Sequence, residues 1–406
     1  MSKKAKALIL SVSLSIILFT VVGGFGVKAA SDNDGPYKQL QVYSEVLSRI
    51  RSEYVEEPNI PVVTDGALHG LLESLDPNSS YLSPAEYQEY KKEKADGKGS
   101  IGATVSKRFG YAAVIAVIPG GPADKAGVNS GDIIEAIEGK TTREMSLAQI
   151  RYLLSGEPGS NINLSVVRAR RAEPQKVTIT RDLVKIPPVS DKMMEDNVAY
   201  IKVDAFNKGK TQEIAGKIKT LMTNGAQRII LDLRDCASGE ESEGIATANL
   251  FITHGTIAYL QGQRYPRETF NAEMNKSITG LPVVVMVNHG TAGPAEVVAA
   301  AILENARGDV LGDKTFGDGS VQKVIEVPDG SALILSVAKY YSPKGKAIQD
   351  TAVTPNIQVA DKDDDFPLPD DDQPNQTDQE LKKDQRSPQQ DEQLQRAIEV
   401  LKRKAA

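Results

Sequence analysis

The run Pro119-Gly-Gly-Pro-Ala-Asp-Lys-Ala-Gly127-Val-Asn-Ser-Gly131-Asp132-Ile-Ile-Glu-Ala-Ile137-Glu-Gly139-Lys140 constrains the fold more than any other part of this sequence. Glycine and proline recur so closely that neither a long helix nor a long strand can pass through it. The spacing predicts a small helix ending at Gly127, a turn at Gly131-Asp132, a strand over 133–137 and another turn at Gly139. Ser146 and Gln149 then stand at capping-box spacing, ahead of a helix whose apolar face is Leu147, Ile150, Leu153 and Leu154. Residues 98–186 as a whole read as one domain of short strands and glycine turns.

A chain of 406 residues is long enough for several domains. Residues 36–97 read as helical. Leu40, Tyr43, Leu47, Ile50 and Tyr54 make one apolar stripe, and Leu68, Leu71, Leu72 and Leu75 a second. Ser83-Pro84-Ala85-Glu86 starts a third helix with a capping box and a proline at its first position. This block is expected to serve packing or pairing with a second copy. Residues 187–360 are α/β. Strand-like runs at 198–203, 228–233 and 283–287 alternate with helical stretches at 209–223, 241–252 and 295–305, which implies a sheet covered by helices.

Both ends differ in character. Lys3, Lys4 and Lys6 precede an apolar stretch from Ala7 to Val22, and Val27-Lys28-Ala29 resembles a small-residue cleavage site. Residues 1–30 therefore read as a signal peptide or a membrane anchor. Either form exports the body, to the periplasm or another extracytoplasmic space, with anchoring in the cytoplasmic membrane if the segment is retained. Residues 361–390 carry ten Asp/Glu and four Lys/Arg, and read as a disordered acidic linker. In 391–406, Leu394, Ile398 and Leu401 restore a stripe, so a C-terminal helix is expected to dock back.

Outside that linker, basic and acidic residues balance at 44 each, which argues against nucleic acid as the partner. Cys236 is the single cysteine, so no disulfide or Cys-rich cluster can form within the chain. His69, His254 and His289 have no metal-ligand spacing, and neither metal nor cofactor is expected.

The block over 98–186 resembles a PDZ domain, in the permuted form of bacterial proteases. Such a domain adds a peptide C-terminus as a strand beside a groove helix, with loop N–H groups on the carboxylate. The resemblance places peptide contacts at Ile101, Gly102 and Ala103 and at Leu147, Ile150 and Leu154. Other segments extend the likeness. They include Glu45 to Glu56, Ser74 to Pro84, Ile230-Leu-Asp-Leu-Arg-Asp235, Gly312 to Gln322 and Lys339-Tyr-Tyr-Ser-Pro-Lys-Gly345. In this order they resemble the carboxyl-terminal processing, or tail-specific, proteases. The expected fold is α+β and multidomain, with an N-terminal helical segment, a permuted PDZ domain and an α/β protease-like core.

That family cuts exported proteins near their C-termini with a serine nucleophile, a lysine base and a supporting glutamine. The resemblance places these on Gly293, Asp318 and Gln322, with the second position 25 residues after the first. Only the glutamine is retained. The oxyanion donor after the serine falls on Pro294, which has no N–H, and the second donor turn falls on Ser238-Gly239. The resemblance therefore implies a protease relative without its catalytic groups. It would bind protein C-termini, either as a homodimer or beside an active relative. Asp318 is expected near the start of the 295–305 helix, where a carboxylate gains about 0.3–1 kcal/mol. Substitute chemistry has few candidates. Thr291 can be imagined with Lys314 or Lys323, and Cys236 with His289 across the cleft.

Overall fold

The computed structural model describes residues 36–93, 97–168, 171–360 and 391–403. The expected export segment over 1–30 and the expected linker over 361–390 lie outside the described residues. The chain divides into a unit ending at Ala67 and a larger unit beginning at Leu68. In the first, α1 (Pro36–Glu53) is braced by Arg49, which bridges Glu45 and Glu53 one turn to either side. Its apolar stripe is largely uncovered, with Leu40 58% exposed. No helix among the described residues is long and apolar enough to cross a membrane.

Helix α2 (Ile60–Glu73) runs across the division. Of the second predicted stripe only Leu72 is buried, while Leu71 and Leu75 remain exposed. Next come β1 (Ser80–Leu82) and α3 (Pro84–Glu93). Ser83 caps α3 as its spacing predicts, with its N–H donating to Glu86 Oε2 at 2.8 Å.

The glycine-turn domain contains β2 (Gly99–Ser100), β3 (Ala103–Arg108), β4 (Tyr111–Val117), α4 (Pro122–Lys125), β5 (Ile133–Ile137), β6 (Lys140–Thr141), α5 (Leu147–Leu154), β7 (Ser155–Gly156), β8 (Asn161–Arg168) and β9 (Arg171–Thr180). Its antiparallel sheet has the order β3-β4-β5-β8-β9, so β3 is an edge strand. Ser146 and Gln149 form the predicted capping box of α5. Leu147, Ile150 and Leu154 pack with Ile101, Val105 and Ile134 in the domain core.

The C-terminal body holds β10 (Ser190–Met194), β11 (Val198–Lys202), α6 (Lys210–Thr223), β12 (Arg228–Asp232), α7 (Glu241–Asn249), β13 (Thr256–Gln261), β14 (Glu268–Asn271), β15 (Val283–Val287), α8 (Pro294–Glu304), β16 (Asp309–Gly312), β17 (Ser320–Glu326), β18 (Ala332–Tyr341), β19 (Ile357–Gln358) and α9 (Glu392–Arg403). The main sheet has the order β10-β11-β12-β15-β16-β19, and β11, β12, β15, β16 and β19 run parallel. Alternation along the strands feeds two cores. Ile229, Leu231, Val283 and Val285 face α6, α7 and α8, while Ile230, Val284 and Met286 face Leu394, Ala397 and Leu401 of α9. The C-terminal helix thus docks back as its stripe predicts. Arg234 holds its start, pairing with Asp391 at 2.9 Å and with buried Asp232 at 2.6 Å. A second sheet, β1-β18-β13-β14 with β17 on β18, was not legible from the hydrophobic runs.

Candidate functional site

Parallel sheets place their loops of consequence at the carboxyl ends of the strands. Here the loops after β12 and β15 meet the loop before β17. Asn288 Oδ1 accepts the N–H groups of Asp235 (2.9 Å) and Gly290 (3.0 Å). Ala292 N–H donates to Cys236 O at 3.0 Å, and Phe316 N–H to Thr291 O at 2.9 Å. The three loops therefore hold one another through main-chain groups. Ile115 and Ala116 of β4 pack against Ala237, Ala292 and Phe316, so the glycine-turn domain lies directly on these loops.

Gly293 enters α8 with φ 57° and ψ −123°, and Pro294 is the first helical residue. A side chain on residue 293 would be strained by that positive φ. It would not lack room, because a Cβ there would lie 3.6 Å from Glu241 Oε1 and 4.0 Å from Asp318 O. The backbone is bent as a strand-to-helix nucleophile turn is bent, but it presents no side chain.

Asp318 lies beside the start of α8, as expected, with its carbonyl oxygen 4.0 Å from where a Cβ on Gly293 would be. Asp318 does not cap α8 with its carboxyl group. Its Oδ1 accepts Asn78 Nδ2 at 3.3 Å, and burial raises its pKa against the opposing charge of Arg151 and the Asn78 bond. Fully buried Glu296, in the first turn of α8, takes the role instead. Its Oε2 accepts Gly293 N–H at 3.1 Å and Asp318 N–H at 2.8 Å, and its Oε1 accepts Gly317 N–H at 2.9 Å and the Thr315 hydroxyl. Burial pushes Glu296 up to about 8 against the bonds from Thr315, Asp318 and Gly317, and the Asp318 charge adds to the rise. A third carboxylate, Glu241 at the start of α7, is raised by burial and by the Asp318 charge.

Among the described residues no hydrogen bond joins Gln322 to residue 318. The Gln322 amide donates to Ser320 Oγ at 2.7 Å and to Ser336 Oγ at 3.4 Å. Asn78 also donates to Ser320, at 3.2 Å, and Ser336 donates to Asp76 at 3.0 Å. The loop over 76–79 is thus part of the site, although it lies far from it in sequence. The turn at Ser238-Gly239 is tightly built. A Cβ on Gly239 would fall 2.3 Å from Phe206 C, while Phe206 N–H donates to Ser238 O at 2.8 Å. The buried Ser238 hydroxyl has no partner among the described residues.

The substitute nucleophiles are committed elsewhere. Cys236 lies fully buried in the main apolar core, and burial pushes its thiol up to about 12. No hydrogen bond joins it to His289, whose pKa is lowered by burial and which faces Asp313 and the Lys314 backbone. Thr291 is fully buried, not a surface turn residue. Its hydroxyl donates to Leu233 O at 2.8 Å and accepts Asn288 N–H at 3.0 Å, while Lys314 and Lys323 are exposed.

In the glycine-turn domain, Gly102 has φ 72° and its N–H donates to Ser100 Oγ at 3.1 Å. Ile101, Leu147, Ile150 and Leu154 are each at most 4% exposed, so they form core rather than the wall of an open groove. Ala103 starts the edge strand and is half-buried. A cleft of about 930 Å³ opens between α3 and α5, lined by Tyr90, Met145 and Tyr152 among others, and no residue around Gly293 lines it. Among the described residues no group of His, Cys, Asp and Glu has the arrangement to hold a metal ion.

Comparison with known proteins agrees with this architecture. Residues 197–359 match the model of peptidase family S41, and residues 114–168 match a PDZ domain. The chain is 31% identical over 357 residues to the carboxy-terminal processing protease CtpA of Bacillus subtilis, covering 87% of this chain and 76% of that protein. It is 33% identical over 289 residues to a carboxyl-terminal-processing protease of Picosynechococcus, covering 70% of each. The photosystem II D1 C-terminal processing protease has a similar structure, with a TM-score of 0.65 at 25% identity, covering 79% of this chain and 92% of that one.

Proposed function

This chain belongs to the carboxyl-terminal processing proteases of peptidase family S41, and from that premise we propose that it is an exported member that captures protein C-termini through its PDZ domain without cutting them. The observation that carries the proposal is Gly293. The nucleophile position holds no hydroxyl, no lysine stands at 318, and Pro294 offers no N–H to an oxyanion. Loss of the nucleophile alone lowers turnover by about 10⁶ in a serine protease. The burial of Cys236 and the bonded hydroxyl of Thr291 leave the rival reading, a peptidase with substitute groups, without a supporting observation.

Binding does not need the lost groups. The free edge of β3 can take an added strand, and a terminal carboxylate can replace Ser100 Oγ as the acceptor of the Gly102 N–H. The natural ligands on this reading are C-terminal peptides of exported or envelope proteins. The protein would act as a homodimer or beside an active relative. Incubating the purified protein with an unstructured protein that ends in apolar residues reports binding and cleavage together. Retention without new fragments is expected. Cleavage that disappears in Cys236→Ala or Thr291→Ala would sink the proposal.

A further inference from the structure

The β3–β4 hairpin turns through two residues, Phe109 and Gly110, between the paired Arg108 and Tyr111. Both turn residues have positive φ, 53° and 84°. Such a turn suits Asn-Gly or Asp-Gly, because a short polar side chain tolerates the left-handed backbone. A bulky aromatic does not, so Phe109 is held in a strained conformation. Core packing does not offset the strain. Phe109 is 55% exposed, whereas Phe206 and Phe251 are at most 1% exposed and Phe270 and Phe316 pack against apolar clusters.

Cations surround the ring. The Arg108 guanidinium lies 5.6 Å from its centroid. Exposed Arg143 reaches the same turn from the segment after β6. A Cβ on Gly110 would lie 3.6 Å from Arg143 Cγ, and the Arg143 guanidinium lies 5.9 Å from the Tyr111 ring. Two acidic neighbours are engaged elsewhere. Glu73 meets Lys107 Nζ at 3.0 Å, and Glu144 lines the cleft between α3 and α5. Arg108 opposes protonation of His289, so that ring is no counter-ion for it.

A single aromatic on the convex tip of a hairpin offers a protein partner neither a groove nor an area of the usual size. It suits a bilayer interface, where an aromatic ring sits at headgroup level and arginines meet phosphates. We propose that the tip of the β3–β4 hairpin docks this protein on a membrane surface bearing anionic headgroups, with Phe109 inserted and Arg108 and Arg143 on the phosphates. The docking is independent of C-terminal capture, although it would hold the β3 edge close to the membrane.

The chain has no tryptophan, so Phe109→Trp in the full chain makes the tip report on itself, whatever the N-terminal segment does. With vesicles of phosphatidylglycerol and phosphatidylcholine its emission should move to shorter wavelength and be quenched by brominated acyl chains. Vesicles of phosphatidylcholine alone should leave it as in buffer. Adding Arg108→Gln or Arg143→Gln should weaken partitioning roughly fivefold each. Phe109→Asn should unfold at the wild-type temperature or above it, since asparagine suits the turn. A reporter unmoved by anionic vesicles, or moved equally by both kinds, overturns the proposal. So does emission already at short wavelength in buffer, which would mean that a second copy or another part of the chain covers the tip. A clear loss of stability in Phe109→Asn would make Phe109 a packing residue and overturn it as well.

Discussion

Gly293→Ser places a hydroxyl at the entrance of α8 and, on the proposed reading, supplies one of several groups that cleavage needs. The new Cβ meets nothing closer than Glu241 Oε1 at 3.6 Å, so the side chain fits. The backbone is the obstacle, because φ 57° and ψ −123° suit only glycine without strain. Holding serine there costs about 1–3 kcal/mol. In a domain of this size that lowers the melting temperature by roughly 2–12 °C. Activity should stay absent. A missing general base withholds a factor of about 10²–10⁴, and a missing oxyanion donor about 10²–10³. The single variant should therefore trail Gly293→Ser, Pro294→Ala, Asp318→Lys by roughly 10⁴–10⁷ at alkaline pH, where the introduced lysine is neutral. Thermal unfolding and cleavage of an unstructured substrate measure the two effects on the same preparations. Turnover by Gly293→Ser within about tenfold of the triple variant would refute the base and oxyanion arguments. Adding Glu241→Gln would then show whether that carboxylate is the base.

Three further outcomes are expected. Glu296→Gln places an amide NH₂ where one carboxylate oxygen now receives two donors, so it should destabilise by about 2–5 kcal/mol in denaturant unfolding. Stability should also fall as pH rises from about the ordinary glutamate value of 4.5 to about 8. Over that window the native state keeps a proton on Glu296 that the unfolded chain releases, and Asp318 and Glu241, both raised, act in the same direction. Melting temperatures at the two ends of the window check the sign, and Glu296→Gln should flatten the slope. Amidating a bound peptide should weaken binding, since the loop N–H groups lose an anionic acceptor, and equal binding of free-acid and amidated forms would remove carboxylate capture.

Much of this architecture could be read before any coordinates, and what could be read was local. The capping boxes at Ser83–Glu86 and Ser146–Gln149 are i, i+3 patterns, and both form. The runs at 198–203, 228–233 and 283–287 are apolar on both faces, as buried parallel strands must be. What escaped the sequence depends on distant residues meeting. Nothing in the order of the chain says that Asn78 reaches Asp318 and Ser320. The period of helix 147–154 was correct, but a period identifies an apolar face without saying what covers it. Leu147, Ile150 and Leu154 turned out to cover the core, and exposed Arg151 is what reaches the strand. Cys236 presents the same limit, since a nucleophile and a core residue share one letter and differ only in burial.

On the proposed reading, the neighbourhood of Gly293 differs from a working site by more than three residues. A lysine base must lose its charge to work, and nearby carboxylates oppose that loss. At residue 318 the carboxylates of Asp350 and Asp76 already raise the Asp318 carboxyl, and Glu241 feels the same centre. Burial and the Arg151 charge would favour a neutral lysine at 318, and these carboxylates oppose that. The hydrogen bond from Asn78 would also be lost, because an ammonium cannot accept it. The triple variant should therefore show weak turnover that climbs toward alkaline pH, and Asp350→Asn added to it should move that climb to lower pH. A pH profile already flat at neutrality would mean that the surrounding carboxylates do not govern the site. The acidic surroundings would then no longer count among the reasons to propose that this site binds without cutting.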